Sequence, residues 1–302
     1  MDSSHVPVRS ISLPSRLHPS SLKIEAELTK LKSWELLSSS STTTTSRLGG
    51  ETIQIALTKL AELFICIEEL TNSPQSKKAL HHQNLNQVEQ VLEGSVGLID
   101  VCSTSRDMFL AMQEHVRDLQ SVLRRKGKDL SIESNMQDYI SFRKSAKKEV
   151  SKLLSTLKKL ENNDLPSSIP KEDNHLSYLV KMIREVQAIA IVIFRFVILF
   201  LSPHSMKTSS SGWSMVSKLV HLGFVDSDKG EKIFNEVGRV DISLCSILGK
   251  IKKNTDAKFD LQEMQEKLEI LAISIQDLED KLDCVFRCLI QNRVSLLNLV
   301  TP

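Results

Sequence analysis

The sequence predicts an all-α fold: an elongated antiparallel helical bundle that ends in a long coiled-coil-like helix. Three observations predict it. Over roughly the last forty residues, apolar side chains recur in alternating steps of three and four. They are Met264, Leu268, Leu271, Ile275, Leu278, Leu282, Val285 and Leu289, with Asn292, Leu296 and Leu299 continuing the series. Such spacing holds one stripe of a helix against its neighbours, and five heptads at about 1.5 Å per residue make a rod of about 50 Å. Second, Gly (10) and Pro (8) are scarce in 302 residues, against usual frequencies of about 7% and 5%, so few tight turns are on offer for a sheet. Third, no segment alternates apolar and polar residues at strand period for a useful length.

Taken from the N-terminal side, residues 1–20 read as a flexible basic arm, rich in Ser and Pro with Arg9 and Arg16. Residues 21–37 read as a short docking helix with Leu22, Ile24, Leu28, Leu31 and Trp34 on neighbouring turns. Ser38–Ser46 contains only Ser and Thr, a composition with nothing to bury, so residues 38–49 form a linker. The bundle domain then spans residues 50–299. Its first stripe is Ile53, Ala56, Leu60, Leu63, Ile67 and Leu70, ended at Asn72. Ser73 is placed to cap the next helix, with Pro74 at its first position. A second stripe passes Leu80, Leu85, Val88 and Val91 to a break at Gly94; a third runs from Cys102 through Phe109, Met112, Val116 and Leu119 to Gly127. The fourth joins Ile132, Met136, Tyr139, Arg143, Ala146, Val150, Leu153, Leu157 and Leu160, stopping before Pro166. Short breaks between long helices make consecutive helices antiparallel.

Residues 171–202 hold the most apolar stretch. Ser205–Gly212 reads as a loop, Trp213–Leu222 as a short helix, and Asp228 with Glu231 as a capping-box start. The stripe Ile233, Val237, Val240, Leu244, Ile247 and Ile251 follows, and Asn254-Thr255-Asp256 turns the chain into the terminal rod.

Composition narrows the function classes. A net charge of +2 does not fit nucleic-acid binding by bulk electrostatics. Five cysteines, an odd number, lie within helical patterns with no secretory signal before them, which points to reduced thiols in a cytoplasmic protein. The acid-poor, Ser-rich arm shares its composition with plastid transit peptides but lacks their amphipathic Arg-bearing helix, so a plastid address is the weaker reading. No phosphate loop, metal-spaced cluster or nucleophile–base pair is visible. The chain reads as a non-enzyme without a cofactor.

Several features carry a functional reading beside a plainer one. Ala188–Leu201 is apolar but for Arg195; a membrane span needs about 20 apolar residues, so a buried core helix is preferred over insertion. Between Arg124 and Lys159 eleven basic residues face four acids. Arg143, Lys144, Lys147, Lys148, Lys152 and Lys159 form the candidate anion-binding face, suited to an anionic membrane surface at about 1 kcal/mol per residue. Only Tyr139 and Phe142 could stack on bases there, which argues against single-stranded nucleic acid. The plainer reading is a solvated face. Cys284 and Cys288 stand one turn apart with no further ligand at useful spacing, which favours helix packing over metal. Cys102 follows Asp100 closely but has no sequence-near histidine, leaving only a distant approach of His115 or His175. Arg143 and Asn292 fall on packed seams, either to set register or because the stripe drifts.

The arm also contains Arg9-Ser10-Ile11-Ser12-Leu13-Pro14. This matches the Arg-Ser-x-Ser-x-Pro phosphoserine motif read by 14-3-3 proteins, with Ser12 as the candidate phosphosite and Arg9 and Pro14 completing it.

Three strings carry a family resemblance: Arg9–Arg16 with His18-Pro19, Gly94–Cys102, and Arg143–Leu154 running on to Leu160. In that order they resemble the plant-specific BYPASS-like family, over most of the chain to about Leu299. The resemblance implies a plant protein, largely helical, without known enzymatic activity and associated with root and shoot development. The run Ile191–Leu201 is more apolar than in typical relatives, which leaves membrane association open.

The combined expectation is a helical interaction or scaffold protein in plant development. A peripheral membrane protein is the second reading, and an enzyme acting on a small signalling metabolite the third. Protein partners are expected, including 14-3-3 through Ser12 and a second copy through residues 264–299.

Overall fold

The computed structural model describes residues 19–40, 49–80, 86–125, 130–163, 175–202, 235–252 and 258–300. Within them are eight helices: α1 (Pro19–Ser40), α2 (Gly50–Thr71), α3 (Pro74–Leu80), α4 (Asn86–Arg124), α5 (Leu130–Asn163), α6 (His175–Leu201), α7 (Glu236–Lys252) and α8 (Lys258–Val300). No strand occurs among the described residues. The 14-3-3 motif around Ser12, the 205–212 loop, the 213–222 helix, the Asp228 start and the turn at 254–256 lie outside the described residues. So does most of the Ser/Thr linker, although α1 itself runs on to Ser40.

Four long helices make the centre. α8 packs on α2 and on α4, and α6 packs on the same two from the other side. Cross-helix bonds give the directions. Gln54 donates to Asp277 and Asn292 donates to the Phe64 carbonyl, so α2 and α8 rise together. Gln113 meets Gln276 while Arg293 meets Leu92 and Ser95, so α4 and α8 are antiparallel. Gln187 on Val91, with Phe109 stacked on Phe200, makes α4 and α6 parallel. The remaining helices lie outside this square: α5 on α4 and α6, α1 on α2 and α6, the short α3 mainly on α6, and α7 on α8 with a foot on α5.

The seam read from the sequence is the inner face of α8. Met264, Leu268, Leu271, Ile275, Leu278, Leu282 and Val285 are all fully buried, and Leu289, Asn292 and Leu296 are nearly so. Leu299, near the end of the helix, is half-buried. At about 1.5 Å per residue its 43 residues span about 65 Å. The seam closes within its own chain, between α2 and α4. Self-association through 264–299 would have to use the outer face, where Ile273, Ile290, Val294 and Leu297 are exposed.

The apolar α6 is the second central element. Sixteen of its 27 residues are buried, and Arg195 points outward to Glu161 at 2.8 Å. The one charged residue in the most apolar run therefore keeps its charge at the surface. No helix among the described residues is long and apolar enough to cross a membrane.

One expectation is corrected. The break at Gly94 does not exist: residues 86–124 form one 39-residue helix. Gly94 and Gly97 serve close approach instead of a turn. A Cβ on Gly97 would stand 2.5 Å from Leu160 Cδ2 of α5, and one on Gly94 3.4 Å from the Gln187 side chain of α6. The described start of α7 has a cap of its own. Asn235 is non-helical and its Oδ1 accepts the Gly238 N–H at 2.8 Å, the bond expected of an N-cap. At α3 the expectation holds: Ser73 Oγ accepts the Ser76 N–H at 3.2 Å, with Pro74 first in the helix.

Candidate functional surface and polar interior

The candidate anion-binding residues all lie on α5, and the structure divides them. About one hundred degrees separate neighbouring residues of a helix, so Arg143 and Lys144 face different ways. Lys144, Lys148, Lys152 and Lys159 are exposed along one stripe. Lys152 approaches Glu149 at 3.7 Å, one turn back on the same helix. Lys147 is half-buried, and its burial holds the ammonium below the usual lysine range. Arg143 does not belong to the face: it is buried and points into the bundle.

There Arg143 forms the centre of a buried ionic network. Its Nε donates to Asp241 Oδ1 at 3.1 Å and its Nη2 to Oδ2 at 3.0 Å, a two-pronged pair between α5 and α7. Its Nη1 donates to the Leu201 carbonyl at 2.8 Å, satisfying an orphan acceptor at the end of α6. Tyr139, one turn earlier, donates its hydroxyl to Asp241 Oδ1 at 3.1 Å. Burial lowers the Arg143 pKa, but Asp241 and Tyr139 outweigh it, so the net direction is upward and the guanidinium stays charged. Burial, with Asp241 second, pushes the Tyr139 phenol well above its ordinary value. Asn235 adds a stitch alongside by donating to the Phe200 carbonyl at 3.0 Å. Three helices thus meet at one ion pair. The seam position of Arg143 was legible in the stripe; Asp241, 98 residues away, carried no sequence signal.

The other buried polar groups serve the same end. Asn292 donates to the Phe64 carbonyl of α2 and to the Cys288 carbonyl, each at 2.8 Å, so this seam residue joins two helices. Gln187 bonds the Val91 carbonyl at 3.0 Å. At the α2–α3 corner the Ser76 hydroxyl donates to the Leu70 carbonyl at 2.6 Å and lies 3.0 Å from His175 Nε2. Ser76 is fully enclosed, and its hydroxyl proton goes to the carbonyl.

Cys102 is equally enclosed. Its thiol reaches the Leu282 carbonyl at 3.5 Å, and burial pushes its pKa up to about 12. A reactive thiol needs the opposite shift. His115 packs at a tilt against Phe142, with ring centres 4.7 Å apart, and His175 meets Ser76, so neither histidine serves Cys102. Cys284 and Cys288 are half-buried beside each other, and burial, then Cys284, raises Cys288 to about 11. Among the described residues no three His, Cys, Asp or Glu side chains gather as a metal site.

Among the described residues, two of the surface cavities measure about 240 Å³ each, small beside the roughly 300–1,000 Å³ of typical ligand pockets. One lies between α7 and α8, where Glu236, Glu263 and Glu266 are offset by Arg239 and Lys267. Lys267 is already committed to Glu263 and Ser243, each at 2.7 Å, and Glu236 Oε1 takes the Gly50 N–H at the start of α2. The other lies over Ala188, Ile189, Ile191 and Val192 of α6, rimmed by Lys32, Glu161 and Glu185.

These features define a helical bundle whose interior polar groups register helices against one another. The chain belongs to the family described as Protein BPS1, whose model matches residues 56–299, the BYPASS-like plant family that the three strings resemble. Membership implies a role in plant development. The match takes in the Gly94–Cys102 and Arg143–Leu160 strings and ends at Leu299; it does not extend to the Arg9–Pro19 string. No curated protein and no solved structure matches the chain.

Proposed function

We propose that this chain is a non-enzymatic helical interaction protein of the cytoplasm, acting in root and shoot development by presenting surfaces to protein partners. One observation carries the reading: the groups that could do chemistry are spent on holding helices together. Cys102 and Ser76 are enclosed and bonded to carbonyls, and the Arg143–Asp241 pair is closed off between three helices. Docking of 14-3-3 protein on phosphorylated Ser12 belongs to the same reading, since the arm precedes the bundle. The test is rescue of plants lacking this protein by chains carrying Cys102→Ala or Ser76→Ala. Both are expected to restore growth; failure by a folded variant would overturn the non-enzymatic reading.

The lysine stripe supports a second reading, attachment to an anionic membrane surface. Four exposed ammonium groups at about 1 kcal/mol each near such a surface give a useful but reversible attraction. Changing Lys144, Lys148 and Lys152 together to Gln is expected to abolish sedimentation with anionic liposomes and to spare the fold. Equal sedimentation by parent and variant, or none by the parent at physiological salt, would reject it. Fractionation with salt and carbonate washes separates the two readings in cells.

A further inference from the structure

α1 differs in kind from the helices it touches. It lies along α2 and α6, antiparallel to the first and parallel to the second. Among its described side chains, the apolar ones it buries are Ile24, Leu28 and Leu31, whereas α2 buries ten apolar residues and α6 fifteen. Of its three polar anchors, Ser20 is buried and the other two sit at the rim of the contact. Ser20 Oγ donates to Glu69 of α2 at 2.6 Å, Lys32 Nζ to Glu185 of α6 at 2.7 Å, and the Tyr178 hydroxyl of α6 to Glu25 at 3.0 Å. The two exposed contacts, Lys32–Glu185 and Tyr178–Glu25, are screened by water and salt and hold a helix weakly. Among the described residues no buried ion pair like Arg143–Asp241 fastens it. In sequence, residues 41–48 between α1 and α2 are all Ser or Thr apart from Arg47 and Leu48. The family match begins at residue 56, inside α2, and so leaves α1 out.

We propose that α1 is a detachable cap: a helix held in its own chain's α2–α6 groove, which is a docking site for a partner helix of the same chemistry. The groove specifies that chemistry through its present occupant. It fits aliphatic residues at i, i+4 and i+7, as Ile24, Leu28 and Leu31 provide. It takes an acid at i+1 for Tyr178, a base at i+8 for Glu185 and a hydroxyl at i−4 for Glu69. A partner helix must displace α1, so its apparent affinity is reduced by the fraction of chains in which the groove is open. This inference rests on the interaction reading, but the two fail separately. Rescue by Cys102→Ala and Ser76→Ala bears on that reading alone, and the measurements below bear on the groove alone.

The test uses the full chain and a labelled synthetic peptide of residues 19–40. Hydrogen exchange of the unmodified protein is expected to show α1 amides exchanging at least tenfold faster than those of α2 and α6. Leu28→Asp in the full chain empties the groove, and that variant is expected to bind the added peptide at least tenfold more tightly than the parent does. A peptide carrying the same Leu28→Asp change is expected not to bind. Exchange of α1 as slow as that of α2 and α6 would overturn the proposal without recourse to any variant. So would failure of the peptide to bind a folded Leu28→Asp chain. A dimer of the parent in light scattering that Leu28→Asp converts to monomer would assign the groove to a second copy's α1 and overturn a cap held within one chain.

Discussion

Leu278 lies midway along α8 with no exposed surface, facing the join of α2 and α4, and Leu282 one turn on is equally enclosed. Replacing Leu278 by Ala removes three carbons from this seam. At about 0.8 kcal/mol per buried carbon the transfer loss is about 2.4 kcal/mol. The surrounding helices are pinned by Gln54–Asp277 and Gln113–Gln276, so they cannot collapse fully on the gap, and the residual cavity raises the loss to about 3–4 kcal/mol. For a chain of this size that corresponds to a fall in thermal midpoint of roughly 6–12 °C. Leu282→Ala is expected to behave alike. The double variant should lose less than the sum, because residues one turn apart share one cavity. Helicity followed by circular dichroism through urea and thermal unfolding measures the change. Ile273→Ala, at a position 64% exposed on the same helix, is the control and should shift stability by no more than about 0.5 kcal/mol. A midpoint for Leu278→Ala equal to that of Ile273→Ala would refute the burial of the seam.

Two further outcomes follow from the thiol and from the arm. Cys102 titrates near 9 when unfolded and near 12 in the bundle. Its neutral form is favoured by folding, so this contribution is fully present below pH 9 and is lost as pH rises from 9 to 12. The loss is on the order of 4 kcal/mol at about 1.4 kcal/mol per unit; urea unfolding across that window should show it, with a flatter slope in Cys102→Ala. A phosphorylated peptide of residues 6–19 is expected to retain 14-3-3 protein, through the added charge on Ser12, and to lose it on Arg9→Ala. Equal retention by the unphosphorylated peptide would remove the motif.

The helices and their inner faces were legible because burial follows periodicity. The steps from Met264 to Leu296 name the buried face of α8, and Ile53 to Leu70 that of α2. Arg143 and Asn292 stood out as polar residues on packed seams, and both are buried and bonded across helices. Sequence reasoning failed where the outcome depended on a distant partner. Gly94 and Gly97 carry the propensity of a break, yet α4 runs through them because α5 and α6 approach closely there. Arg143 was grouped with its lysine neighbours by proximity along the chain, although one residue turns the side chain through about a hundred degrees. Asp241, which decides its role, lies on another helix.

The claim that buried charge here orders helices, and does no chemistry, is tested most directly by replacing the ion pair as a unit. Arg143→Met or Asp241→Leu alone strands a buried charge and is expected to cost about 3–5 kcal/mol, whereas the double variant should return to near the parent's stability. The decisive measurement is growth of plants lacking this protein after supply of the double variant. Rescue equal to that by the parent chain is predicted. Failure to rescue by a double variant that folds as stably as the parent would contradict the claim.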